Sequence, residues 1–148
     1  MRIAFRSRHG APAHVSKETI STDLRLGNPY RGIATERSLL RLRVVVAPRG
    51  VAPQEIIVDV DDVAIEVRCD GLELIVAAGA IDQLFVVERQ PRHGFLTWFG
   101  VFARRHGRAD RLLLETPEGP VARFVERAIE ERLGLVDEPV RGELRVAP

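Results

Sequence analysis

The side chains that could do covalent or acid–base chemistry are few in this chain, and their spacing serves none of the common mechanisms. From residue 51 onward the hydroxyl and thiol groups are Cys69, Thr97 and Thr116, and the serines Ser7, Ser16, Ser21 and Ser38 all precede them. No Gly-x-Ser-x-Gly elbow and no pair of glycines two apart is present, so neither a strained hydrolase nucleophile nor a dinucleotide-binding turn is encoded. Lys17 is the one lysine among 22 basic residues, a single candidate for Schiff-base or phosphate-loop chemistry. The histidines His9, His14, His93 and His106 include no i, i+4 pair of the kind that holds zinc on a helix. Asp59-Val60-Asp61-Asp62 looks like the start of a calcium loop. Its sixth position, however, is Ala64 where the sharp turn needs glycine, and its twelfth is Asp70 where a bidentate glutamate belongs. It reads as a charged hairpin turn. Cys69 has Arg68 as its one basic neighbour, which fits a buried or half-buried inert thiol. The expectation is a chain without enzymatic activity, cofactor or metal.

What remains is binding chemistry. Arg89, Arg92, Arg104, Arg105 and Arg108 lie to either side of Trp98 and Phe102. Guanidinium groups beside large aromatics suit a contact surface, and these seven residues are the candidate binding set. Charge is blocked along the chain although the total is +1. Residues 1–49 carry net +7, residues 50–88 net −8, residues 89–111 net +5, and the remainder net −3. Such blocks read as complementary surfaces within or between copies of one protein rather than as a nucleic-acid footprint, and no nucleic-acid partner is expected.

The elements that must carry these groups can be read from periodicity. With 148 residues and 45% apolar content the chain suits one ordinary domain. Its longest apolar stretches, Leu74–Ile81 and Phe95–Ala103, are far shorter than the ~20 residues of a membrane-spanning helix. The N-terminal MRIAFRSRHG lacks the apolar core of a secretory signal, and the lone cysteine fits a reducing compartment, so the cytoplasm is expected, with a membrane-peripheral position as the alternative.

Residues 1–37 are punctuated by glycine and proline and read as an arm, weakly structured or contributing edge strands. From residue 38 the pattern is strand-like: Leu39–Val46, Ile56–Val60, Val63–Cys69, Leu72–Ala78, Leu84–Glu88, Phe95–Arg105 and Asp110–Glu115. In Phe95–Arg105 the spacing of Phe95, Trp98, Phe99 and Phe102 also fits a helix, and Gly100 with the aromatic and β-branched content favours a strand. Asp70-Gly71 is a two-residue hairpin signal. One helix is expected near 118–133, with Thr116 or Gly119 as cap, Pro117 or Pro120 in the first turn and Gly134 at the C-terminal cap. Val121, Phe124, Val125, Ala128, Ile129 and Leu133 form its apolar stripe, with Arg123, Glu126, Arg127, Glu130 and Glu131 mostly opposite. The fold class is therefore α+β, mainly antiparallel β: a curled sheet closed by one C-terminal amphipathic helix.

Two stretches carry a resemblance. Ile81-Asp82-Gln83-Leu84-Phe85-Val86-Val87-Glu88-Arg89 resembles a strand motif of an uncharacterised bacterial family with a pleckstrin-homology-like (PH-like) domain. The run from Glu126 to Leu135, followed by Asp137, Pro139, Val140, Gly142, Glu143 and Leu144, resembles the end of the same family, where a terminal helix runs into a short tail. The resemblance implies a PH-like split barrel of about seven strands over residues 38–148. Many members are anchored by a hydrophobic hairpin that this chain lacks, and the family offers no catalytic residues to carry over. Phosphoinositide-binding PH domains use a basic first hairpin, whereas the segment Glu55 to Asp62 is acidic here.

The function expected on these grounds is a PH-like binding module acting through protein–protein contacts, self-association included. The rivals are a peripheral anionic-lipid binder, using the five arginines beside the aromatic strand, and a small-molecule-binding helix-grip protein. On Phe95–Ala103, Phe95, Phe99, Val101 and Ala103 form one face, and Leu96, Trp98 and Phe102 form the other. One set must fill the core, and the other is expected between chains, with cover by the N-terminal arm as the alternative.

Overall fold

The computed structural model describes residues 2–5, 13–23, 36–47, 52–89 and 97–138. Nine strands and one helix occur among them: β1 (Arg2–Phe5), β2 (Ala13–Asp23), β3 (Glu36–Val46), β4 (Gln54–Val60), β5 (Ala64–Cys69), β6 (Leu72–Ala77), β7 (Ile81–Arg89), β8 (Trp98–Arg105), β9 (Arg111–Thr116) and α1 (Gly119–Leu133). All pairings are antiparallel between sequence neighbours. They form a six-stranded sheet in the order β1 to β6 and a three-stranded sheet in the order β7-β8-β9. The chain is α+β and mainly antiparallel, as the periodicity indicates. Strands β3–β6, β7–β9 and α1 follow the order of a PH-like split barrel, four strands, then three, then a helix. The two sheets are not joined edge to edge into a closed barrel.

Local chemistry accounts for the breaks. At the β5–β6 hairpin Asp70 and Gly71 both take positive φ, 49° and 75°, as a tight two-residue turn requires. Between β4 and β5, Asp61 Oδ1 accepts from the amides of Val63 and Ala64 at 2.7 and 2.8 Å, replacing backbone partners that the bend removes. A 3₁₀ turn, Ala78–Ala80, carries the chain from one sheet to the other. Pro120 stands in the first turn of α1, and Gly134 ends it in the left-handed conformation.

The inward faces of both sheets meet α1 in one core. Val15, Leu42, Val44, Val58, Ile65, Leu84, Val86, Val101, Val125 and Ile129 belong to it. The segment before residue 38 supplies β2, which pairs with β3 over its whole length and buries Ala13 and Val15, while β1 lies at the sheet edge. In β9 a bulge opposite Val101 and Phe102 turns Leu113 as well as Leu114 into the interior. The helix is rotated from the expected stripe. Val121, Val125, Ala128 and Ile129 of that stripe are buried, Ala122, Glu126 and Glu130 are buried with them, and Phe124 and Leu133 are only partly buried against the core. Gln83, itself buried in β7, donates its side-chain amide to the Glu138 carbonyl, so the segment after α1 returns to the three-stranded sheet.

Candidate functional site

The candidate binding residues divide between the two ends of β8. Arg89 and Trp98 are direct cross-strand partners at one end. Arg104, Arg105 and Arg108 stand at the other, six or more residues along the strand, or ~20 Å at the rise of a β-strand. Arg92, like Phe95 and Leu96, lies outside the described residues. Strand alternation, with the bulge in β9, puts Val101 and Ala103 in the core and Phe99 against it, leaving Trp98 and Phe102 on the other side.

Phe102 has a partner within the chain. Its ring stacks on Phe85 with centroids 5.5 Å apart and planes 13° from parallel, and the Arg104 guanidinium lies 5.1 Å from the Phe85 centroid. Gly100 makes this possible: a Cβ there would stand 2.8 Å from Phe102 Cε2 and 3.0 Å from Leu112 Cδ1. The arginines are also engaged. Arg89 pairs with Glu115 at 2.7 Å, Arg104 faces Asp110 at 3.4 Å, and Arg105 donates to the Ala109 carbonyl at 2.9 and 3.2 Å. Each carboxylate cancels charge that an anionic surface would otherwise meet.

Where the two sheets part, a cleft of about 670 Å³ is lined by Ile56, Val67, Leu72, Trp98 and Leu114, with Gln54, Cys69, Arg89 and Glu115 among its polar groups. Burial pushes the Cys69 thiol up from its ordinary range, and Asp70 adds to the effect. Gln54 donates to Cys69 Sγ at 3.2 Å and to Asp70 at 2.6 Å. The Gln54 bond opposes that rise, and burial outweighs it, which disfavours the thiolate needed for attack or metal binding.

On the outer face of the large sheet, Asp59 is 7% exposed and accepts both arms of Arg41, at 2.7 and 2.8 Å, and a third bond from Arg68 at 2.7 Å. The acidic run is thus divided among separate tasks: Asp59 clamps β3 to β5, Asp61 closes a turn, and Asp62 accepts from Arg132 of α1 at 2.8 Å. Arg132 also donates to the Ser38 carbonyl at 2.8 Å, tying the helix end to the large sheet.

A group that periodicity missed is Glu126, Glu130 and Asp137, whose ligand atoms lie within 4.8 Å of one another. Arg123 donates to Glu126 at 2.7 Å, and the Glu126 side chain is 1% exposed. Glu126 and Glu130 are buried and Asp137 is exposed, an arrangement that could hold a cation. The i, i+4 glutamates were visible in the sequence, but their burial depends on the rotation of α1.

The other surface feature is β6. Leu72 is 77% and Ile75 62% exposed, and β6 ends the six-stranded sheet with no strand beyond it among the described residues. No protein-family model matches the chain, and no curated protein or solved structure matches it significantly.

Proposed function

We propose that this chain is a non-catalytic, PH-like interaction module that works through protein–protein contacts, with β6 as its contact element. The observation that carries this reading is an open sheet edge bearing exposed Leu72 and Ile75. Sheet edges that stay alone are generally blunted by lysine, proline or a bulge. β6 has Glu73 as its one charged residue and no lysine, arginine or proline, and its register with β5 is unbroken. The burial that disfavours a Cys69 thiolate counts against nucleophilic chemistry, and the carboxylates facing Arg89 and Arg104 count against an anionic-lipid surface.

The test is a photo-cross-linking side chain placed at Ile75, and separately at the exposed Arg108, in cells. Polypeptide adducts from position 75 are expected, with few from position 108. Lipid adducts alone, or polypeptide adducts from position 108 only, would overturn the reading.

A further inference from the structure

We propose that the occupant of this edge is a second copy of the chain, its β6 pairing antiparallel with β6 and centred on Ile75. The proposal rests on the protein-contact reading above and adds the partner and the register. The two-residue turn makes Cys69 and Leu72 a hydrogen-bonded pair, so such pairs recur at Val67–Leu74 and Ile65–Val76. The bond from the Ala78 amide to the Val63 carbonyl, 2.9 Å, continues this alternation. The amides and carbonyls of Glu73, Ile75 and Ala77 therefore point away from β5, at the open edge.

Two such edges fit each other best in one register. With Ile75 opposite its own copy, Glu73 meets Ala77 of the second chain, and all three outward-facing residues of each strand form hydrogen-bonded pairs. The two Glu73 carboxylates then lie four residues apart along the strands, ~14 Å, beyond the ~8 Å screening length of physiological salt. A slip centred on Leu74 loses one of the three pairs and brings those carboxylates to roughly half that spacing. The pairing is isologous, so it closes at a dimer and leaves no edge at β6.

The experiment measures mass against concentration for the whole chain by sedimentation, with amide exchange read residue by residue. The mass is expected to rise from 16.5 kDa toward twice that value. The Glu73, Ile75 and Ala77 amides are expected to exchange at least about tenfold more slowly in concentrated than in dilute protein. Ile75→Lys sets two charges on the twofold axis, and Ile75→Pro removes an amide that bonds nothing in β5. Each is expected to weaken association by about tenfold or more while the circular dichroism spectrum is kept. Association is expected to tighten with salt, because each copy brings the acidic block at residues 50–88.

A monomer up to millimolar concentration, or a dimer indifferent to both variants with no slowing at those amides, would overturn the proposal. So would association that weakens with salt, which would mark a contact between the basic arm of one copy and the acidic hairpins of another. A monomer whose position 75 still cross-links to other polypeptides in cells would overturn the self-pairing and leave the protein-contact reading standing.

Discussion

Asp59 is the residue on which the outer face of the large sheet turns. Three charge-assisted bonds from two strands converge on one nearly buried carboxylate, and the hydrogen bonding of Arg41 to Asp59 strengthens the hold of that guanidinium on its proton. Asp59→Ala is expected to cost about 1–3 kcal/mol in denaturant melts, because it leaves the half-buried Arg41 without its carboxylate, while the exposed Arg68 keeps Glu66 at 3.5 Å. Glu55→Ala, which breaks a 3.5 Å pair between half-exposed groups, is expected to cost less than about 0.5 kcal/mol. Equal costs would mean that the Asp59 cluster is no better than a surface pair. A pH effect belongs at the same scale. The Glu66 carboxyl is held above its ordinary range, first by its hydrogen bond with Glu73 and then by burial. Between the ordinary glutamate value and this raised one the folded state binds more protons than the unfolded state. That contribution to stability is complete below the ordinary value and is lost as pH rises through the raised one. Glu66→Gln is expected to flatten this fall, and melts across the weakly acid range read it directly. An unchanged slope would remove Glu66 as its source.

At the scale of the element, α1 shows how a few tens of degrees decide energetics. Phe124 lies at one edge of the sequence stripe; the helix buries Val121, Val125, Ala128 and Ile129 from that stripe, adds Ala122, Glu126 and Glu130 on the opposite edge, and leaves Phe124 only partly buried. Ile129→Ala is therefore expected to cost about 2–5 kcal/mol, and Phe124→Ala less, because the ring is only partly buried at the rim of the core. The reverse order in thermal melts would place the packed face where periodicity does. In β8, Gly100 is a seat for Phe102. Gly100→Val is expected to lift Phe102 off Phe85 and cost about 1–3 kcal/mol. The aromatic proton spectrum checks this, since the ring-current shifts that each ring imposes on the other are expected to vanish in the variant. Shifts that persist would show that the rings stack without help from Gly100.

The molecule as a whole is two sheets held by one helix. The small sheet packs on α1, and Arg132 joins the helix end to Asp62 and the Ser38 carbonyl of the large sheet. Trp98 is the single tryptophan and sits at the cleft where the sheets part. Its fluorescence reports the small sheet, while circular dichroism reports all strands. The two signals are expected to give one coincident denaturant transition, since the core is shared. Separate midpoints would show that the sheets unfold independently. Arg132→Ala is the variant expected to reveal any such separation first.

Much of this architecture was legible in the sequence because it depends on neighbours along the chain. Alternation over Leu39–Val46 and Val63–Cys69, the Asp70-Gly71 turn and the Gly134 stop each rest on the conformational limits of a few adjacent residues. β2 was hard to see because its inward positions offer only Ala13 and Val15 as apolar signals, and it is held mainly by pairing along β3. Of the candidate binding residues, the sequence supplied the types but not their company. That Arg89 meets Glu115, that Arg104 covers Phe85, and that Phe102 stacks on Phe85 are cross-strand facts set by register. The burial of Glu126 and Glu130 follows from the roll of α1 on the sheets, which nothing local specifies. Whether β6 is an edge is likewise a property of the sheet. A strand of alternating apolar residues looks the same in the middle of a sheet as at its end, and only the tertiary structure decides which of its amides have no neighbour.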